Sequence, residues 1–239
     1  MAWFFTMECT GENPNADNYL SPDIAIIPEE HARFEAMGKA LGEEIEARYM
    51  AGPRDRDTPA YPRFNGPKST PELDRGWRWP MPDEPFRDQL VTTQYELVDI
   101  IGSSFGAYAI SQRVIDLIEA IEPGVHQYLP YEMLQPDSSV HPAKRWLLNV
   151  CTRAEVVDVE RSFVVRLPVT NWFADKAGGE PKIVVRAAEA SRRAIWCEWR
   201  YNWADRTLIS GRLADALKAA DIHGWQFGTY HHPNRVDEI

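Results

Sequence analysis

The run from 195 to 230, IWCEWRYNWADRTLISGRLADALKAADIHGWQFGTY, decides the fold, because its local signals change in a readable order. Strand-like residues end at Ser210, whose hydroxyl is placed to accept an orphan backbone N–H of a first helical turn. Leu213, Ala216, Leu217 and Ala220 then recur at i, i+3, i+4 and i+7, so they share one face of a helix. Gly224 stands where that helix must stop, since a residue without a Cβ enters the left-handed conformation at no steric cost. Beyond it Trp225, Phe227 and Thr229 alternate with Gln226, Gly228 and Tyr230, the period of a strand with unlike faces. Strand, helix and strand are expected in that order.

An earlier stretch repeats the pattern. Ile110, Ser111, Arg113, Asp116 and Ala120 match Ile209, Ser210, Arg212, Asp215 and Ala219 at a constant offset, and Gly124 matches Gly224 with one residue of slack. Ser111 is the expected N-cap; Val114, Leu117, Ile118 and Ile121 form the apolar face, Pro123-Gly124 stops the helix, and VHQYLPYEM continues as an extended segment. Any serine-capped helix closed by glycine would match in this way, so duplication and coincidence both stand.

Working outward, MAWFFTM lacks the basic lead-in of a secretory signal and reads as a first strand. GENPNADNYLSPD is loop chemistry. Pro28, Glu29 and Glu30 start a helix with acids at its positive end, and Phe34, Met37, Leu41 and Ile45 give it an apolar stripe before Gly52-Pro53 ends it. Glu44 is spaced to pair with Arg48. Residues 51–90 hold eight of the 18 prolines and show no period, which suits a functional or surface-wrapping segment, with Trp77 and Trp79 as its anchors on either side of Arg78. YELVDII (95–101), WLLNV (146–150), EVVDV (155–159), SFVVRL (162–167) and KIVV (182–185) read as strands, and AAEASRR as a short helix. An α/β or α+β fold is expected, with a mixed, mainly antiparallel sheet and a few amphipathic helices. Residues 1–90 read as an N-terminal part packed on a main domain formed by 91–239.

Charge narrows the partners. The 239 residues carry a net charge of −10. Residues 1–90 have 10 Lys and Arg against 17 Asp and Glu, and the remainder 16 against 19. The basic footprint that nucleic acid demands is missing, so direct DNA or RNA binding is not expected. Acidity keeps a protein soluble, and it also suits a basic partner. No apolar run reaches the roughly 20 residues that a membrane-spanning helix needs. Cys9, Cys151 and Cys197 are odd in number and widely spread, which argues against a disulfide scaffold and for a reducing, cytoplasmic setting.

One motif carries enzymatic chemistry. Gly102-Ser103-Ser104-Phe105-Gly106 satisfies G-x-S-x-G, the turn that exposes a nucleophilic serine in α/β-hydrolases, and Asp158 (or Asp205) and His223 follow in the order such an enzyme uses. Against it, the helix signals begin only at Ser111, and no glycine-rich oxyanion element lies upstream. A serine hydrolase using Ser104, His223 and Asp158 is therefore the alternative function, and a non-enzymatic role is the expectation. No metal site is expected: His231-His232 points to opposite sides of any strand, and no ligand cluster accompanies it. No cofactor is expected either, since GSSFG lacks the lysine of a phosphate-binding loop. Nine tryptophans are many for this length, and Trp199, Arg200, Tyr201 and Trp203 of WRYNW combine the residue types that anchor interfaces. They are the candidate partner-binding residues, together with Trp77 and Trp79.

Three features coincide in one family. The unit at 110–129, the WLLNV…EVVDVERS pair and the closing IWCEW…LISGRLADALKAADIHGWQF together resemble the bacterial polymorphic-toxin immunity family numbered eleven, formerly a domain of unknown function. The similarity covers roughly residues 91–230, with MAWFFTM as the family's first strand and no counterpart placed for 51–90. The resemblance implies a cytoplasmic protein that binds and neutralises a cognate toxin domain; it brings no catalytic motif and does not identify the toxin. Self-association is compatible with the same sequence.

Overall fold

A computed structural model describes residues 2–7, 24–51, 78–91, 97–154, 156–158, 160–162, 164–166, 172–174, 184–198, 207–227 and 237–238. The first elements are β1 (Ala2–Met7), β2 (Ile24–Ala25), α1 (Pro28–Ala51), β3 (Phe86–Leu90), β4 (Ile100–Gly102), β5 (Tyr108–Ile110) and α2 (Gln112–Glu119). There follow β6 (Gln127–Leu134), β7 (Arg145–Asn149), β8 (Arg153–Ala154), β9 (Val164–Arg166), β10 (Trp172–Ala174), β11 (Val184–Val185) and α3 (Ala187–Ala190). The chain closes with β12 (Ile195–Glu198), β13 (Thr207–Ser210), α4 (Gly211–Ala219), β14 (Trp225–Phe227) and β15 (Asp237–Glu238).

Two larger sheets organise these elements. One runs β2, β3, β6, β7, β5, β4 and the other β14, β1, β13, β12, β8; β9 with β10 and β11 with β15 form two small pairs. Among the described strands, only β3 with β6, β8 with β12 and β11 with β15 run parallel, so the expected mixed, mainly antiparallel α+β architecture is what the chain adopts. Strands from residues 1–90 are built into both sheets: β1 lies between β13 and β14, and β3 between β2 and β6.

Each face of the six-stranded sheet has its own core. Alternation along β6 sends Leu129, Tyr131 and Met133 to one side, where Phe34 and Leu41 of α1 meet them with Trp79, Phe86, Ile101 and Phe105. The Phe34 ring stacks on Trp79 at 4.6 Å, meets Phe86 edge-on at 5.4 Å and lies 5.0 Å from Phe105. Arg33 fastens the same helix by donating to the carbonyls of Glu84 (2.9 Å) and Pro85 (2.6 Å), with its guanidinium over the Phe86 ring. On the other face Val114, Ile115 and Ile118 of α2 pack with Leu213, Ala214 and Leu217 of α4, among Ile100, Ile110 and Leu148 of one sheet and Ile195 and Ile209 of the other.

The structure corrects four local expectations. YELVDII contributes a strand only from Ile100, because Arg145 donates to the carbonyls of Leu97 (3.2 Å) and Val98 (2.8 Å) and so occupies acceptors that a neighbouring strand would need; 95 and 96 lie outside the described residues. Of EVVDV, the described residues 156–158 form no strand: Val157 makes a single bridge to Val185, after which the Asp158 carboxylate accepts from the amides of Glu160 and Arg161 and turns the chain; 155 and 159 lie outside the described residues. Ser111 sits at the N-cap position, but its hydroxyl donates to Asp99 (2.7 Å) instead of accepting a helix amide, whereas Ser210 does accept from Leu213 (3.2 Å). The buried stripes include Ile115 and Ala214, while Leu117, Ile121, Ala216 and Ala220 are only half-buried. Thr229 and the side chains of Ile45 and Arg48 lie outside the described residues.

Candidate partner interface

The GSSFG motif forms the turn of the β4–β5 hairpin, so a strand follows it where a nucleophile elbow requires a helix. Ser103 donates through its amide (3.2 Å) and hydroxyl (2.8 Å) to the Ala107 carbonyl, and Gly106 takes the positive φ of 68° that closes the turn. Phe105 enters the aromatic core beneath α1. The Ser104 amide donates to Asp88 at 2.9 Å and its hydroxyl donates to the same carboxylate, which also accepts from the Tyr131 hydroxyl at 2.8 Å. Asp88 is fully buried, and three donors on one carboxylate are what make its burial tolerable. Burial first, and then the Asp88 charge, push the Tyr131 hydroxyl far above the usual phenol range, so it stays a donor. Ser104 is therefore a fastening between hairpin and β3.

The other two hydrolase candidates are engaged elsewhere. The His223 ring lies 3.3 Å from the Asp221 carboxylate, and its backbone carbonyl accepts from the Ile100 amide at 3.1 Å. Asp158 serves the turn described above. The serine-hydrolase alternative thus loses its strand–helix turn, and its three residues have three separate sets of partners.

The predicted interface residues divide in two. Trp79 is 4% exposed, exchanges hydrogen bonds with the Gln127 side chain through its amide (2.9 Å) and carbonyl (2.6 Å), and stacks on Phe34. It anchors the end of the proline-rich segment, as Arg78 does by donating to the carbonyls of Gly124 and Val125. Trp77, Trp199, Arg200, Tyr201 and Trp203 lie outside the described residues. Their flanks are fixed: WRYNW belongs to the stretch that joins β12 to its antiparallel partner β13. Among surface charges, the outer side of α1 exposes Glu29, Glu35, Glu43 and Glu44, and Asp83 and Glu84 are exposed just before β3.

Sequence reasoning also missed a polar junction around Glu122. Glu122, just past α2, accepts from the Ala194 amide (2.8 Å) and the Thr152 hydroxyl (3.1 Å), and His126 Nε2 lies 3.3 Å away. Burial alone would raise the carboxyl pKa, but the His126, Ala194 and Thr152 hydrogen bonds together hold it below its ordinary value of 4.5. A carboxylate depressed in the folded state adds stability above its unfolded pKa and loses it as pH falls through the folded value. Glu122→Gln is accordingly expected to cost about 1 kcal/mol at neutral pH and progressively less below about pH 4.5. Urea unfolding of both proteins across that range checks this; a difference that does not change with pH refutes it.

Among the described residues no helix is long and apolar enough to cross a membrane, and no three metal-ligating side chains cluster. No curated protein matches the chain. The sequence pattern of the immunity protein family Imm11 matches residues 29–232, from the first turn of α1 to beyond β14 and across the proline-rich segment. With most of its length so matched, and its one catalytic-looking motif accounted for as a hairpin turn, the chain belongs to the Imm11 immunity protein family.

Proposed function

We propose that the protein binds and neutralises a cognate toxin domain of a polymorphic toxin system in the bacterial cytoplasm, without catalysing a reaction. Family membership carries this reading. It is supported by the engagement of Ser104 with Asp88, which leaves the strongest catalytic motif with a structural role. The docking surface is assigned to Trp199, Arg200, Tyr201 and Trp203, because rigid aromatics and arginine contribute most per residue to protein interfaces. The acids exposed on α1 favour a basic toxin, whose encounter they would accelerate at low salt. The test uses a cognate toxin domain, to be sought in the reading frames that adjoin this gene. Tyr201→Ala with Trp203→Ala is expected to weaken its binding about 30-fold or more, at the scale of interface hot spots, with thermal unfolding unchanged. Equal affinity in a normally folded double variant would remove these residues from the interface.

A further inference from the structure

The likeness between residues 110–129 and 209–229 extends far beyond one helix. β4 and β5 are antiparallel with Ile100 opposite Ile110; β12 and β13 are antiparallel with Ile195 opposite Ile209. At the foot of each hairpin the cap serine donates its amide across the pair, Ser111 to the Asp99 carbonyl (2.8 Å) and Ser210 to the Ala194 carbonyl (3.0 Å). The helices then bury Val114, Ile115 and Ile118 in one case and Leu213, Ala214 and Leu217 in the other, each pair 99 positions apart. Both exits carry a glycine at positive φ, Gly124 at 69° and Gly224 at 91°.

Strand order supplies the independent observation. After its helix each chain segment skips one place in the sheet, and the gap is filled by a strand antiparallel to both neighbours. The orders are β4, β5, β7, β6 and β12, β13, β1, β14. Register agrees as well: Trp146 lies opposite Ile110 and Trp3 opposite Ile209, while Leu148 faces Tyr128 and Phe5 faces Phe227. That places Gln127 and Gln226 at equivalent positions, again 99 apart. Capping chemistry can repeat a serine and a glycine, but it does not dictate which distant strand fills a gap. The halves also touch where each hairpin begins: the Ile100 amide donates to the backbone carbonyl of His223 beyond α4, and the Ala194 amide donates to the side-chain carboxylate of Glu122 beyond α2.

We infer that the chain contains two copies of one unit of four strands and a helix, packed on each other as an internal pair, with the gap-filling strand following the helix in the first copy and permuted to the N-terminal β1 in the second. Their hairpins differ in one respect. Five residues separate the paired Gly102 and Tyr108, and nine separate the paired Cys197 and Thr207, so four residues within 198–206 are an addition that the repeated scaffold does not need.

Three variants of the full chain test this by thermal unfolding. Removing residues 2–7 is expected to lower Tm by more than about 10 °C, a loss of a few kcal/mol on a domain of this size. Moving the same six residues to follow Phe227 through a turn of about four residues, where the first copy has its equivalent strand, is expected to recover Tm to within about 5 °C of the natural chain. Deleting Trp199–Asn202 is expected to leave Tm within the same margin. A moved strand no better than the deletion overturns the equivalence, as does a deletion without effect. A large loss on trimming the loop overturns the assignment of those four residues as an addition. None of these readouts involves a toxin, so they stand or fall apart from the proposed function.

Discussion

Gly224→Ala is expected to destabilise the protein by about 4 kcal/mol or more, an effect reserved for a few mechanisms that rearrange a core or backbone. Two act together here. At a φ of 91° any L side chain is strained, at a cost of about 1–2 kcal/mol. An added Cβ would also lie 1.9 Å from the Ile100 carbonyl oxygen and 2.7 Å from Cγ2 of Val98. The carbonyl has nowhere to retreat, because β4 is held to β5 at Ile110 and the Ile100 amide is tied to His223. The loop after α4 must therefore leave the six-stranded sheet. Gly124→Ala is the control: its φ of 69° imposes a similar conformational strain, but nothing lies within 4 Å of the new Cβ, so a loss of about 1–2 kcal/mol is expected. Urea unfolding of the two variants decides the matter; equal losses would show that the close approach contributes nothing.

Phe34→Ala is expected to cost about 3–5 kcal/mol, the range for truncating a buried phenylalanine. Phe34 of α1 touches Trp79, Phe86 and Phe105 at once, so its removal empties the centre of the core beneath that helix. Collapse is hindered because Arg33 pins the helix to the carbonyls of Glu84 and Pro85 and Asp88 pins the hairpin through Ser104. Urea unfolding measures the loss, and near-ultraviolet circular dichroism should lose intensity as the stacked Trp79 is released. A loss below about 1.5 kcal/mol would mean that the core closes over the gap.

The local parts of this fold were legible in its residues. Serine, helical spacing and glycine marked α2 and α4, and the prediction of a strand at the N-terminus is met by β1. What could not be read was the joining of distant parts. Nothing in AWFFTM names residues 207–227 as its neighbours, since strand pairing leaves no trace at either strand alone. Asp88 was invisible for a related reason: FRDQL lies in a stretch read as having no period, and the three donors on its carboxylate come from a turn 16 residues on and a strand 43 residues on. GSSFG shows the opposite failure. The same five residues satisfy a catalytic motif and a hairpin turn, and only the element that follows distinguishes them. The choice of WRYNW as an interface rests on composition, which shows how well a side chain could bind but not where it faces.

The position of β1 sets an order of events during synthesis. All the strands of the six-stranded sheet are complete once Asn149 has left the ribosome, so that sheet can form while the chain is still being made. The second sheet cannot, because β1 must wait for β13 and β14, which begin only at Thr207 and Trp225. The segment AWFFTM thus waits for strands about 200 residues further on, and closing so long a loop costs entropy that the local pairing of the six-stranded sheet does not. The five-stranded sheet closes only when β1 has met β13 and β14.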